Sequence, residues 1–320
     1  MSPRRTHAKR RPSSAARRGS ARPRRTPAAT AATDLELPAL LRRVGLAPRK
    51  ALGQHFLVDE FVLADIADAC GLEARSTVLE IGAGPGVLTE QLVTRAGHVV
   101  AVELDEELAS FTRTRLEDAG GLCVVAADVL DFTPLELLEE CEAAPPYVAC
   151  GNLPYYITQP VVRRLIEAEA PPDRIVVMVQ REVARRMVGG EGRESLLSMA
   201  VRCFGPAEIV LEVPPTAFFP PPKVHSAVVR IERAAEPPLD LEGEARERFF
   251  NLLRAGFSEP RKQLHNALTS ALGIAATALD ATLEAAEVDR SSRAQHLGLE
   301  DWRRLFDLVD ARHPGVLDAG

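Results

Sequence analysis

VLEIGAGPGVLTEQL, residues 78–92, closes a short apolar run at Ile81, places glycines at 82, 84 and 86, and continues with helix-forming residues. Strand, glycine turn and helix in that order open a doubly wound α/β sheet. Glycines in such a turn let the backbone bend tightly and approach a ligand closely. The spacing is GxGxG, whereas a dinucleotide fold asks for GxGxxG. The next strand ends in Glu103, 21 residues after Gly82, where a carboxylate can accept hydrogen bonds from ribose hydroxyls. Asp128 ends the third strand, where it could accept from an adenine amino group. A lone glycine motif reads as a bare turn. Two acids at successive strand ends, lining the crevice where such sheets bind ligands, point instead to a nucleoside.

The pattern repeats outward from this unit. Apolar runs at 77–81, 98–104, 122–128, 147–152 and 174–180 alternate with helical segments. Both faces of these runs look apolar, which marks buried parallel strands joined by helical crossovers. LVDEFVLADIADACG (57–71) predicts a helix capped by Asp59, with Val62, Leu63, Ile66 and Cys70 on one face and Gly71 at its end. Two further strand-like runs, 208–213 and 225–232, flank the proline-rich PPTAFFPPPKV. From about Glu244 the pattern is helical throughout. Three regions are expected: a basic, disordered N-terminal tail (1–47), an α/β domain (48–235) and a helical domain (236–320).

At 320 residues, with 46% hydrophobic and 26% charged residues, the composition is that of a globular protein with a sizeable core. No apolar run is long enough to span a membrane, and the N-terminus lacks the apolar centre of a secretory signal, so a cytoplasmic protein without a membrane partner is expected. The five cysteines (Cys70, Cys123, Cys141, Cys150, Cys203) are scattered, without a CxxC pair. That predicts a reducing compartment, no disulfide framework and no metal site. The net charge of −6 hides a division: residues 1–33 carry nine Arg, one Lys and no acid, so the remainder carries −16. Such a tail cannot bury enough apolar surface to order itself. It reads equally as a sequence-independent phosphate binder or as a solvated extension. Four Lys stand against 35 Arg in the whole chain, so Arg in the tail says little by itself.

ACGNLPYYITQP (149–160) follows the fourth strand at the same sheet edge as the glycine turn. Asn152 cannot take up protons and Tyr155 is a poor base at neutral pH, so this is not ordinary acid–base machinery. Thr158 is placed to cap the next helix, with Pro160 in its first turn. With Pro154 fixing the backbone, the Asn152 amide oxygen and the Leu153 carbonyl can face one small space as two acceptors. Accepting both N–H donors of a planar aromatic amine holds it in place and frees its lone pair for attack on an electrophile. Tyr155 offers a face on which a base can stack. The site suits methyl transfer to an exocyclic amine. Taken alone, the same residues also read as a turn former with core tyrosines.

From about residue 49 to its end the chain resembles the ribosomal RNA adenine N6-dimethyltransferase family, most of all its small-subunit (16S) rRNA members. The likeness is carried by KALGQHFLVDE, VLEIGAGPGVLTEQL, AVELDEELA, AADVLDF, GNLPYYITQPVV, VVMVQREVARRM, EVPPTAFFPPPKVHSAVVRI and AGFSEPRKQLHNAL, in the family's order and spacing. It implies a Rossmann-like S-adenosylmethionine-dependent methyltransferase sheet with a small all-α C-terminal domain that contacts RNA. It implies cofactor contacts at His55, Leu57, Gly82, Glu103, Asp128 and Asn152, and an adenine site of Asn152, Leu153, Pro154 and Tyr155. Phe218 matches the family's second base-stacking aromatic. The implied partner is small-subunit rRNA within an immature 30S particle, bound by a monomer. Two departures stand out: many members carry Asn where His55 is, and Glu194 and Ser195 replace a Tyr-Gly pair.

Basic residues expected to meet RNA are Arg163 and Arg164, Arg181, Arg185 and Arg186, and Arg261 and Lys262, which form a confined patch on an otherwise acidic body. Two other readings share much of the pattern. A macrolide-resistance type acting on 23S rRNA has the same core motifs but is less well matched by EVPPTAFFPPPKVHSAVVRI and the C-terminal segment. A non-catalytic assembly or transcription factor of this fold would have no need of an intact NLPY.

Overall fold

The computed structural model describes residues 37–189, 194–236 and 238–318. Among them the strands are β1 (Phe56–Leu57), β2 (Thr77–Ile81), β3 (His98–Glu103), β4 (Leu122–Ala126), β5 (Tyr147–Asn152), β6 (Arg174–Gln180), β7 (Ala207–Val213), β8 (Phe218–Phe219) and β9 (Ser226–Glu232). The helices are α1 (Leu37–Arg43), α2 (Glu60–Ala69), α3 (Val87–Val93), α4 (Glu106–Arg115), α5 (Pro134–Glu140), α6 (Thr158–Glu167), α7 (Arg181–Val188), α8 (Leu196–Phe204), α9 (Gly243–Phe257), α10 (Leu264–Leu272), α11 (Ala276–Ala285) and α12 (Leu299–Arg312). No helix among the described residues is long and apolar enough to cross a membrane.

Seven strands form one sheet in the order β4-β3-β2-β5-β6-β9-β7. β4 through β6 run parallel, and β9 is antiparallel to both β6 and β7. The chain steps outward from β2 to β4 and returns to lay β5 beside β2. That reversal opens a crevice beyond the carboxyl ends of β2 and β5. Successive residues of the central strands serve opposite faces, as the pleat requires. Val78, Val99 and Val176 belong to one core with α2 and α3, and Leu79, Val100 and Val177 to the other with α6 to α8. β4 departs from the expected burial: Leu122 to Val125 are half-buried and Ala126 is exposed, because β4 is an edge of the sheet.

The helix predicted over 57–71 is α2. The Asp59 carboxylate accepts from Phe61 N at 3.0 Å and Val62 N at 3.2 Å, and Val62, Leu63 and Ile66 are buried. The second core does not stop at the sheet's helices. It continues into Phe249, Leu253, Trp302 and Phe306 of α9 and α12. Each such side chain removed from water contributes about 1.5–3 kcal/mol.

Two expectations are corrected here. Order begins well before residue 48: α1 is a helix, and its Leu37 and Leu41 are 3% and 1% exposed in the core with α2. LPALL supplies apolar residues one helical turn apart, which the basic stretch before it lacks. The stretch up to residue 36, with its ten positive charges, lies outside the described residues. Cys123 and Cys141 form a disulfide, their Cα atoms 5.8 Å apart, where none was expected. The pair lies 18 residues apart in sequence, and the fold brings Cys141, the residue that ends α5, to Cys123 on the edge strand β4. Cys70, Cys150 and Cys203 are free and buried.

Candidate active site

The chain leaves β2 through Gly82, Gly84 and Gly86, at φ of 75°, 55° and 78°, a path that side chains disfavour. Gly82 N and Ala83 N donate to Val102 O at 2.8 and 3.1 Å, fastening the turn to β3. The Glu103 carboxylate at the end of β3 accepts from Gly84 N at 2.7 Å and from Asp105 N at 2.9 Å. Burial raises its pKa, and the two backbone donors work against that rise. The carboxylate is thus held in one orientation, with lone pairs left for further donors. Behind it lies Glu80, which sequence reasoning passed over as a strand residue; an acid inside VLEI was the available signal. Glu80 is 1% exposed and accepts from Thr89 Oγ1 at 2.6 Å. Burial pushes its pKa up to about 8, against the Thr89 bond and with the Glu103 charge adding to the rise.

A cavity of about 370 Å³ opens over this turn. It brings together His55, Gly82, Glu103, Asp128, Asn152, Leu153, Pro154 and Tyr155. Asp128 Oδ1 accepts from Leu130 N at 2.9 Å, which fixes the far wall. Gly84 of the glycine turn also lines it, as do Val129 and Tyr156, which were not singled out from the sequence. Leu57 and Phe218 do not line it. They are 2% and 4% exposed and belong to the core around α2. β1 and β8 pair antiparallel with Leu57 opposite Phe218 and Phe56 opposite Phe219. Directly opposed residues share a face, so this register sends Leu57 and Phe218 inward together. Phe56 lines the cavity, and its partner Phe219 is half-buried. Phe218 is therefore a core residue here, not an exposed stacking ring. Strands of two residues carry no periodicity from which this could have been read.

Asn152 is the last residue of β5, and its Nδ2 donates to the main-chain oxygen of His55 at 2.9 Å. His55 Nδ1 lies 2.7 Å from Pro220 O, so that nitrogen carries the ring hydrogen. The His55 and Tyr155 rings stack, centroids 6.2 Å apart and planes 26° apart. The Tyr155 hydroxyl shares a hydrogen bond with Ser226 Oγ at 2.8 Å. Burial raises the Tyr155 pKa and the Ser226 bond opposes the rise, so the phenol stays protonated and serves as a surface, not a base. Ile157 N donates to Pro154 O at 3.1 Å, closing a turn with Tyr155 and Tyr156 at its centre. Thr158 does not cap α6 as expected: it is the helix's first residue, and its hydroxyl bonds back to Pro154 O at 3.4 Å. One of the two Nδ2 hydrogens of Asn152 is taken by His55 O, and the amide oxygen is left as an acceptor. The chemistry on offer is acceptance of N–H donors beside an aromatic face.

The basic residues fall into two groups. Arg163 pairs with Glu167 at 2.9 Å, a carboxylate that Arg254 of α9 also meets at 2.6 Å. The Arg163 side chain is only 23% exposed, so in place of the expected RNA contact it makes a tie between α6 and α9. Arg164 donates to Phe132 O at 2.6 Å. Arg185 and Arg186 are exposed, facing Glu212 at 3.7 Å and Glu182 at 3.0 Å, and Arg181 also faces Glu212 at 3.6 Å. Arg261 is exposed, and exposed Lys262 pairs with Glu259. Surface pairs of this kind are worth at most about 1 kcal/mol and exchange readily for phosphate. Ser195 and Glu194, the departures noted above, cap α8: Ser195 Oγ accepts from Ser198 N at 3.1 Å and Glu194 pairs with Arg202 at 2.8 Å.

The residues present suit the implied cofactor. A glycine turn that main chain alone lines, an oriented carboxylate at the ribose position and an acid at the end of the next strand are what a nucleoside asks for. Fold and cavity together are those of a Rossmann-like methyltransferase. A sequence profile described as "Ribosomal RNA adenine dimethylase" matches residues 45–311, and the chain belongs to that family. It is 42% identical over 269 residues to "Ribosomal RNA small subunit methyltransferase A" of Dehalococcoides mccartyi (strain ATCC BAA-2266 / KCTC 15142 / 195), covering 84% of this chain and 90% of that one. The protein of the same name from Bacillus pumilus is 34% identical over 284 residues, 87% and 97% of the two chains. Among solved structures, a dimethyladenosine transferase from Plasmodium falciparum superposes with a TM-score of 0.63 at 26% identity, over 81% of this chain and 98% of that one. The 23S rRNA methyltransferase ErmE does so at 0.58 and 32%, over 80% and 99%.

Proposed function

We propose that this chain transfers methyl groups from S-adenosylmethionine, the methyl donor of its family, to N6 of two adjacent adenines near the 3′ end of small-subunit ribosomal RNA. The products are dimethyladenosines, made on an immature 30S particle in the cytoplasm by a monomer. The observation that carries the reading is the bond from Asn152 Nδ2 to His55 O at the wall of the cavity, which engages the amide through its nitrogen and leaves its oxygen as the acceptor for the substrate. That oxygen accepts one N–H of the flipped adenine and the Leu153 carbonyl accepts the other. The grip favours a nitrogen whose lone pair is free of the ring, while Tyr155 holds the base by its face. Bound cofactor supplies an electrophilic methyl on sulfur. The methylated amine is transiently cationic and sheds its proton to water, so no tuned base is required of the chain.

The small-subunit names of the curated relatives favour this target over 23S rRNA. Residues 48–235 are read as the catalytic part and 236–320 as the RNA-contacting part, with Arg164, Arg185, Arg186, Arg261 and Lys262 offered to phosphates. Incubating the purified protein with labelled cofactor and immature small subunits, then mapping the labelled adenines, tests the proposal. Label in two neighbouring 3′ adenines is the expected result; label confined to 23S rRNA, or none, rejects it.

A further inference from the structure

Tyr156 has no part in the chemistry described above, yet it stands at the mouth of the cavity. The Pro154–Ile157 turn sends its two central rings different ways. Tyr155 turns in, half-buried and bonded to Ser226. Tyr156 turns out, 59% exposed, and its hydroxyl makes no hydrogen bond among the described residues. One edge of its ring lies against Gly53, whose φ is 61°; a Cβ built there would come 3.7 Å from ring carbons Cδ1 and Cε1. The ring is thus backed by main chain on one side and open to water on the other, on a turn that a hydrogen bond holds in shape.

We infer that Tyr156 is a stacking platform for the nucleobase that flanks the target adenine. The inference rests on the function proposed above. Drawing one base out of a strand leaves its neighbour with a bare face, and an aromatic ring replaces that lost stacking for any base. Consecutive residues 155 and 156 present two rings as consecutive nucleotides present two bases. With two adjacent adenines as targets, the partner adenine lies 3′ of one and 5′ of the other, so a platform at one fixed place meets it in one transfer and the next nucleotide in the other, which sequence-tolerant stacking accepts.

The test uses small subunits assembled with a 3′ rRNA segment in which the nucleotide beside a single target adenine is either adenine or abasic. Wild type loses roughly ten- to a hundredfold in kcat/KM on the abasic substrate. Tyr156→Ala loses a similar factor on the intact substrate and nothing further on the abasic one, while Tyr156→Phe behaves as wild type. Affinity for S-adenosylhomocysteine, read by calorimetry, is the same for all three. Discrimination against the abasic site by Tyr156→Ala overturns the inference and leaves the proposed function standing. A fall in S-adenosylhomocysteine affinity matching the fall in transfer also overturns it, making Tyr156 a cover for the cofactor. Failure of wild type to methylate either substrate removes the function and the inference together.

Discussion

The side-chain nitrogen of Asn152 and the main-chain oxygen of His55, 97 residues apart in the chain, are joined by a hydrogen bond of 2.9 Å. It couples the segment before β1 to the end of β5, where the Pro154–Ile157 turn begins. Asn152→Ala removes both the acceptor for the target amine and this tie. Each methylation should slow by about 100-fold, the usual consequence of a reacting group left unpositioned, while S-adenosylhomocysteine affinity falls only a few-fold. Time-resolved nucleoside analysis of the rRNA reads the first effect and calorimetry the second; dimethylation at full rate shows that the amide does not grip the amine.

Glu103→Ala leaves Gly84 N and Asp105 N without their acceptor and removes the carboxylate offered to ribose. Cofactor binding should weaken by about 1–3 kcal/mol, with RNA affinity little changed. An unaltered dissociation constant in calorimetry takes Glu103 out of the site.

Phe218→Ala empties a core position. A loss of about 3–5 kcal/mol is expected, as for other buried phenylalanines cut back to alanine, and thermal unfolding measures it. A variant as stable as wild type but impaired on RNA would return Phe218 to a stacking role.

Glu80 gives the stability curve a pH dependence whose sign can be worked out. Its pKa rises from the ordinary 4.5 to about 8 in the folded chain, so between those values the folded state holds a proton that the unfolded state releases. Stability is therefore full at the acid end of this window and declines as pH rises through it. Glu80→Gln keeps an acceptor for Thr89 and has no proton to lose. Denaturant titrations from pH 5 to pH 9 should show a flatter profile for the variant and greater stability than wild type at the alkaline end.

Much of the fold was legible because parallel strands buried on both faces write themselves as apolar runs: 77–81, 147–152 and 174–180 coincide with β2, β5 and β6. The glycine turn, Glu103, Asp128 and Asn152 were legible for the same reason, each being anchored to a strand end. What escaped depended on pairing between distant segments. The inward turn of Phe218 follows from its register with Leu57, the Cys123–Cys141 bond from the return of the end of α5 to β4, and the hydrogen bond of Asn152 from a carbonyl on another segment. The tail's limit was misjudged because its charge hid the two buried leucines of α1, Leu37 and Leu41.

The Cys123–Cys141 bond closes the segment that carries Asp128 at the cavity wall. In the denatured oxidised protein three thiols should react with an alkylating reagent, and five after reduction. Cys123→Ser, or reductant, should lower stability by about 3 kcal/mol, the loop-closure effect for a segment of this size. Five reactive thiols before reduction would show that the bond does not form.

The core that runs from the sheet through α8 into α9 and α12 has a mechanical consequence. α8 touches both α6 and α9, so the last helices share one packed core with the sheet that carries the cavity. Under the proposed function, an RNA held at Arg261 and Lys262 should meet the cavity at a set reach, and the fold should act as a ruler: a hairpin one base pair too long or too short should be methylated poorly at the Asn152 turn.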